Sequence, residues 1–93
     1  MSGDIYDRAI AHYGKEKQLF QTAEELAELM QAISKAYRYE GKSYVDGVAE
    51  EIADVEIMIE QVRRIFDIST VDVEKERERK LARLERYIKE EHR

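Results

Sequence analysis

The chain contains no cysteine and no proline. Without cysteine it has neither a disulfide framework nor any thiol chemistry, so cysteine nucleophiles are excluded. Without proline, nothing in the sequence breaks a helix from within, which favours long, uninterrupted helices. Tryptophan is missing too, so any aromatic stacking on a ligand falls to tyrosine or phenylalanine.

Long apolar runs are also missing. No stretch approaches the roughly 20 apolar residues that a membrane-spanning helix needs, and no signal peptide opens the sequence. We therefore expect a cytoplasmic protein with no membrane partner. The 93 residues suffice for one small domain, residues 1–93, with a modest core. Long helices at this length usually complete their core against another chain, so we expect a homodimer or a homotetramer.

Positive charge is in short supply, since 16 basic side chains are set against 21 acidic ones, for a net charge of −5. This balance argues against general binding to nucleic acid. Residues 1–73 carry 8 basic and 15 acidic side chains, whereas residues 74–93 carry 8 basic and 6 acidic ones. An acidic body with a mildly basic tail suits a metal-centred site served by cationic side chains. A solvated, salt-bridged surface helix has the same composition.

Apolar residues recur at helical spacing along most of the chain, which predicts an all-α fold. Short connections between the periodic segments favour a helical bundle of about four helices. We expect homo-oligomerisation to complete the bundle, because the apolar faces are wide. The predicted helices cover residues 4–13, about 15–39, 43 or 46 to about 66, and 71 or 72 to about 90.

Polar residues and glycines mark the ends of these helices. Asp4 is placed to cap the first helix and Gly14 to stop it. Ser43-x-x-Asp46 resembles a capping box at the start of the third helix. Ser69 and Asp72 are both available as caps for the last helix.

The second and third helices share one arrangement of side chains. Around each helix come a main apolar stripe, a mixed strip and a polar face, in that order. The mixed strip contains two carboxylates together with small or apolar residues, which suggest that it contacts protein. Gln61 and Arg64 are assigned to the solvent face of the third helix. The main stripes are Leu19, Ala23, Leu26, Met30, Ile33 and Tyr37 on the second helix, and Val48, Ile52, Val55, Ile59, Val62 and Phe66 on the third.

The carboxylates of each mixed strip stand three residues apart, Glu25 with Glu28 and Glu51 with Asp54. An α-helix turns about 100° per residue, so such a pair lies about 60° apart on one face. Both pairs have the same angular offset from their apolar stripe, so side-by-side packing of the helices brings four carboxylates together. These groups repel one another unless a cation lies between them, and Mg²⁺ is the hard divalent ion that best suits such oxygen ligands.

Each acidic pair also has an ordinary explanation. Glu25 completes a capping box with Thr22 if the helix breaks there. Glu51, near a helix start, suits the helix dipole. Either pair alone therefore indicates little, whereas the two together favour a site. His12 and His92 have no partner at metal-ligand spacing, and we expect both to be exposed.

The motifs Glu25-x-x-Glu28 and Glu51-x-x-Asp54, with 22 residues between them, resemble the signature of MazG-like all-α nucleoside triphosphate pyrophosphohydrolases. The flanking sequences agree with this resemblance over roughly residues 10–88. They are Tyr13-Gly14 followed by Gln18, the run EEIADV over residues 50–55, and the basic run KLARL over residues 80–84.

The resemblance implies hydrolysis of a nucleoside triphosphate to the monophosphate and pyrophosphate, with Mg²⁺ as cofactor and Mn²⁺ as an alternative. It assigns the metal to all four carboxylates of the two motifs and the attacking water to Glu25. The resemblance also implies contacts with the substrate. An aromatic residue and an amide near the first motif contact the base or sugar. Two basic residues of the last helix contact phosphate, with a neighbouring subunit as one source of these residues. The four residues are Tyr13, Gln18, Lys80 and Arg83.

Two other functions are alternatives at this point. Phosphoribosyl-ATP pyrophosphatase has a similar length and similar acidic motifs, and a non-catalytic helical interaction module is the alternative outside the enzymes. The module predicts that the acids meet lysine or arginine across an interface, whereas the enzyme predicts that they face one another around a metal. Four further basic residues compete for the phosphate contacts: Lys35, Arg38, Arg63 and Arg64.

Overall fold

The computed structural model describes residues 3–91 and contains four α-helices, with no strand among those residues. The all-α prediction is therefore confirmed. None of these helices is long and apolar enough to cross a membrane. His12 is exposed as predicted, and His92 lies outside the described residues. The helices are α1 at Ile5–Tyr13, α2 at Lys15–Arg38, α3 at Lys42–Ile65 and α4 at Thr70–Glu91.

The start of α1 and its junction with α2 follow the predicted signals. Asp4 caps α1, because its carboxylate accepts the backbone N–H groups of Tyr6 at 3.1 Å and Asp7 at 3.2 Å. Gly14 ends α1 with a φ of 92°, in a region that favours glycine. Because α2 begins at the next residue, this one glycine sets the angle between the two helices.

The predicted capping box at the start of α3 is wrong. α3 begins at Lys42, with Gly41 at the N-cap and no side-chain cap. Ser43 is therefore already inside the helix, and Asp46 instead forms a salt bridge with Lys42 at 2.9 Å. The predicted cap of the last helix is confirmed, since the Ser69 hydroxyl accepts the backbone N–H of Asp72 at 3.1 Å.

α2 and α3 form an antiparallel hairpin, because a short connection joins them and they pack along their length. α1 packs against both of them, and α4 packs against no other helix in residues 3–91. The seam of the hairpin buries Gln18 of α2 and Val55 and Met58 of α3, with Leu29 half-buried beside them. The mixed strip of α2 therefore contacts protein, as predicted.

The main apolar stripes border this seam, and, apart from Val55, much of their surface stays exposed. On α2, Leu26, Met30 and Ile33 are 44%, 72% and 52% exposed. On α3, Ile52 and Ile59 are 44% and 53% exposed. Ile33 and Ile52 line one apolar groove, so both stripes lie on the same side of the hairpin. We call this side the apolar face, and it comprises Leu26, Met30, Ile33, Val45, Ile52 and Ile59.

The assignment of Gln61 to the solvent face is wrong. Its side chain is 2% exposed, and its Oε1 accepts a hydrogen bond from Gln18 Nε2 at 2.7 Å. The physical reason is that α1 and the start of α2 pack against this end of α3 and enclose both amides. The buried Gln18 amide therefore donates to Gln61, and the Gln61 amide nitrogen in turn donates to the backbone carbonyl of Ile57 at 3.4 Å.

Replacing Gln61 by leucine should lower the free energy of unfolding by about 1–3 kcal/mol, because the buried Gln18 amide then loses its partner. Replacing both glutamines by leucine should recover much of that loss, because neither side chain then leaves a polar group unpaired. Urea denaturation of the single and double variants measures both effects. A double variant less stable than Gln61→Leu alone would contradict this account of the pair.

Arg64 was also assigned to the solvent face, and it instead holds α1 against α3. Its guanidinium forms salt bridges with Asp4 at 2.6 Å and Asp7 at 3.1 Å in the first turn of α1, and with Glu60 of α3 at 2.7 Å. The hydrogen bond from Arg64 lowers the pKa of Asp4. The charge of Arg64 is thus committed inside the chain, because α1 covers this side of α3.

Candidate metal centre

Glu25 and Glu28 of α2 and Glu51 of α3 form a cluster at the hairpin seam, which we call the acidic triad. Each contributes one carboxylate oxygen, and these three oxygens all lie within 4.8 Å of one another. The antiparallel hairpin produces this geometry, because it sets the middle of α2 beside the first half of α3. The structure therefore brings together three of the four carboxylates that the sequence nominated.

Asp54, the fourth carboxylate, is exposed and lies outside the triad. Its negative charge nevertheless acts on both Glu25 and Glu51 and raises the pKa of each, after larger causes. Asp54 therefore borders the cluster, from where it adds to the negative potential. Its predicted role as a metal ligand stays a prediction.

The hydrogen bonds of the triad leave part of it without partners. Glu25 Oε1 accepts a hydrogen bond from Gln21 Nε2 at 2.9 Å. Glu25 Oε2 and Glu51 Oε2 are both buried and have no hydrogen-bond partner. Among residues 3–91 neither the triad nor Asp54 forms a salt bridge with lysine, arginine or histidine. Within the described part of one copy, the acids thus face one another and not a lysine or arginine side chain.

The electrostatics of the triad oppose its own ionisation. Burial raises the pKa of Glu25, and the Gln21 hydrogen bond offsets only part of that increase. Burial also raises the pKa of Glu51, with the negative charge of Glu28 as the next cause. Buried carboxylates of like charge bind protons unless a cation neutralises them. The fold therefore holds the triad in a state that a cation would stabilise.

The residues of the triad fit a hard divalent cation. Carboxylate oxygens are the ligands that Mg²⁺ and Ca²⁺ prefer. Two oxygens on one Mg²⁺ lie about 3–4 Å apart, so small rotations of these three side chains are sufficient to bring them to a shared ion. Mg²⁺ keeps several water ligands when the protein supplies few carboxylates, and such positions are also open to phosphate oxygens.

The other residues nominated near the first motif have separate environments. Gln18 is buried and bonded to Gln61. Tyr13 is half-exposed, with Lys17 Nζ 4.9 Å from the centre of its ring. Both line a shallow hollow together with Gln21, the residue that binds Glu25. Their predicted contact with a base or sugar stays a prediction.

The basic residues nominated on the last helix do not approach the triad within one copy. Lys80 and Arg83 are exposed on α4, which packs against none of the other described helices. The competing candidates Arg63 and Arg64 both pair with Glu60. Lys35 instead lines a cleft that also borders Glu28 and Glu51 of the triad.

Sequence analysis missed the role of Gln21. Its amide orients Glu25, and that spacing of four residues on one helix face was visible in the sequence. The capping box considered for Thr22 and Glu25 is wrong, because α2 continues through both residues. The Thr22 hydroxyl instead donates to the backbone carbonyl of Gln18 at 2.8 Å.

Comparisons of this chain with family models, with curated proteins and with solved structures gave no match. The geometry defines an all-α protein with a partly buried carboxylate triad at the seam of a helical hairpin.

Proposed function

We propose that the protein is a Mg²⁺-dependent hydrolase that cleaves a nucleoside triphosphate between the α and β phosphates, to a nucleoside monophosphate and pyrophosphate. The observation that carries the proposal is the acidic triad, in which two buried carboxylate oxygens lack any partner and no cationic side chain of residues 3–91 pairs with the acids. The spacing of the two acidic motifs and their flanks, which resemble those of the MazG-like enzymes, supports this reaction over other metal-dependent ones.

The reaction makes two demands that these residues meet. A triphosphate is strongly anionic, so carboxylates cannot receive it directly, and Mg²⁺ held by Glu25, Glu28 and Glu51 would supply the positive charge. The attacking water must also lose a proton as its oxygen bonds to phosphorus and the α–β bridging oxygen leaves with the other phosphate. We assign that proton to Glu25, because the Gln21 amide fixes the orientation of its carboxylate.

The test is an assay of the purified protein with Mg²⁺ and a panel of ribo- and deoxynucleoside triphosphates, together with phosphoribosyl-ATP. We expect equal amounts of monophosphate and pyrophosphate, and no product when EDTA removes the metal. Release of inorganic phosphate and a diphosphate would contradict cleavage at the α–β bridge. Turnover of phosphoribosyl-ATP alone would select the alternative enzyme, and no turnover of any substrate would favour an interaction module.

We further propose that a second copy of this chain covers the apolar face. The single chain exposes 7689 Å², whereas a compact protein of 11.0 kDa exposes about 5,600 Å². The excess of about 2,000 Å² is divided between the apolar face and α4, which packs against no other helix in residues 3–91. A standard interface buries roughly 800 Å² on each partner. The radius of gyration of 17.0 Å likewise exceeds the value of about 12 Å for a compact domain of this length.

A second copy suits this face because the face carries no charge to match. Its members are all aliphatic, so an identical surface is complementary to it, as in the isologous interface of a twofold dimer. Because α4 packs against no other helix in residues 3–91, it is open to contact with another copy in a dimer or in a tetramer built from two dimers. Lys80 and Arg83 would then have a route to the site that a single copy does not provide.

Mg²⁺ should raise the melting temperature of the protein more at about pH 8 than at about pH 5, because protons and metal compete for the triad. The pKa values of Glu25 and Glu51 are raised above the usual 4.5, so protonation stabilises the metal-free fold. This stabilisation by protons is fully present at pH values below the pKa of these glutamates in the unfolded chain. It is lost as the pH rises through their pKa in the folded protein. Thermal scans with Mg²⁺ and with EDTA measure both trends, and an equal Mg²⁺ shift at the two pH values would contradict them.

A further inference from the structure

A cleft opens beside the acidic triad, between the second half of α2 and the first half of α3. Its volume is about 520 Å³, within the range of pockets that hold small molecules. Glu28 and Glu51 of the triad line one part of it, and Lys35, Tyr44 and Gly47 line another. The cleft is therefore continuous with the metal centre.

Gly47 is the residue of this cleft that the fold does not explain. It lies inside α3, where a glycine costs about 1 kcal/mol of helix stability relative to alanine. Its φ is not positive, so its conformation does not require glycine. A Cβ atom added there would meet no other atom within 4 Å, so close packing inside the chain does not require it either. The missing side chain keeps open a space that the chain leaves empty.

We propose that this cleft receives the nucleoside half of the substrate, with the base or sugar lying on the backbone of α3 at Gly47. The inference rests on the proposed function and extends it, since the triphosphate would run from the cleft to Glu28 and Glu51. Tyr44, 37% exposed at the cleft and packed on the Tyr39 ring at 5.3 Å between centroids, offers a fixed aromatic surface for stacking. Lys35 also lines this part of the cleft and supplies a positive charge there.

This placement differs from the one that the sequence suggested. Tyr13 and Gln18 lie at the opposite end of the triad, and Gln18 precedes Glu25 along α2 by about 10 Å of helix rise. The Gln18 amide is buried and already bonded to Gln61, whereas the cleft at Gly47 is open. The side chains of Gln31 and Ser43 also line the cleft and carry groups able to hydrogen-bond a base or sugar.

The test compares Gly47→Ala and Gly47→Leu with the wild type and with the control Ala53→Leu, which adds bulk at an exposed position of α3 outside the cleft. Binding is measured with Mg²⁺ and three probes: α,β-methylene ATP, α,β-imido dUTP and inorganic tripolyphosphate. We expect Gly47→Ala to raise the melting temperature by roughly 4–8 °C, as a better helix former. We expect it also to weaken binding of the nucleotide probes at least about tenfold, and Gly47→Leu to abolish it.

Tripolyphosphate should bind all four proteins within about twofold, because it lacks the group that occupies the cleft. Nucleotide binding by Gly47→Leu as tight as that of the wild type would overturn the inference. An equal loss of tripolyphosphate binding by Gly47→Leu would also overturn it. So would a change in the molecular mass of Gly47→Leu by light scattering, because Gly47 would then be an interface residue. If the wild type hydrolyses nucleotides while Gly47→Leu keeps its KM, the inference fails alone. If the wild type neither binds nor hydrolyses them, the proposed function fails with it.

Discussion

A Glu51→Gln protein should hydrolyse the substrate about a thousandfold more slowly than the wild type, since a metal-held charge is worth several kcal/mol and each 1.4 kcal/mol is tenfold in rate. The same protein, free of metal, should melt at a higher temperature than the wild type. Both effects come from one carboxylate, which lies at the hairpin seam with a buried oxygen that has no partner.

The gain in stability follows from the sign of the pKa shift. Burial and the charge of Glu28 raise the pKa of Glu51, so its ionised form destabilises the fold at neutral pH. Glutamine removes that charge and keeps the shape of the side chain. The gain in melting temperature should vanish at pH values below the pKa of Glu51 in the unfolded chain, because the wild-type carboxyl is then protonated in both the folded and the unfolded state. Thermal scans in EDTA across this pH range, paired with steady-state rates in Mg²⁺, measure the two effects.

Glu24→Gln is the matched control for this prediction. Glu24 neighbours Glu25 on α2 but is exposed and outside the triad. Its substitution removes the same charge from the chain and should change neither rate nor stability appreciably. A Glu51→Gln protein with wild-type turnover would remove Glu51 from the chemistry. A destabilised one would show that its ionised carboxylate already has a stabilising partner.

An Ile33→Glu protein should fail to form the proposed dimer at concentrations where we expect the wild type to be dimeric. Ile33 lies on the apolar face and lines its groove, so each copy would bring one unpaired carboxylate into the interface. Burying such a charge costs several kcal/mol, which raises the dissociation constant by roughly a thousandfold or more. Light scattering should report a mass near 11.0 kDa instead of twice that value.

Ile57→Glu makes the same change at a matched site. Ile57 is 46% exposed, close to the 52% of Ile33, but it lies on α3 away from the apolar face. This control should keep the wild-type mass and melting temperature. A monomeric wild type, or an Ile57→Glu variant that dissociates while Ile33→Glu does not, would contradict the placement of the interface on the apolar face.

The helices themselves were predictable from sequence because their signals are local. Periodic apolar residues, Asp4, Gly14 and Ser69 act within one or two turns, and the observed helices begin and end close to the predicted positions. The start of α3 was less predictable. Ser43 and Asp46 have the right spacing for a capping box, but Lys42 takes Asp46 as its partner and the helix begins one residue earlier.

The convergence of the acids was also predictable, because it follows from helix periodicity and antiparallel pairing. Asp54 falls outside the triad although its spacing from Glu51 equals that of Glu28 from Glu25, so helix periodicity did not predict which of the four carboxylates would lie apart. The burial of Gln61 was not predictable, because it depends on how α1 folds back over the hairpin. The same applies to the cleft at Gly47, which exists only once two helices lie side by side.

α4 has a consequence for the order in which the molecule forms. It is 22 residues long and packs against no other helix among residues 3–91, so it lacks the tertiary contacts that supply most of the stability of helices in proteins. The hairpin of α2 and α3, which carries the acids, can therefore fold before α4 packs against another helix. The arginines and lysines of α4 are cleavage sites for trypsin. The rate at which trypsin cleaves α4 should therefore report the fraction of chains in which another copy covers this helix.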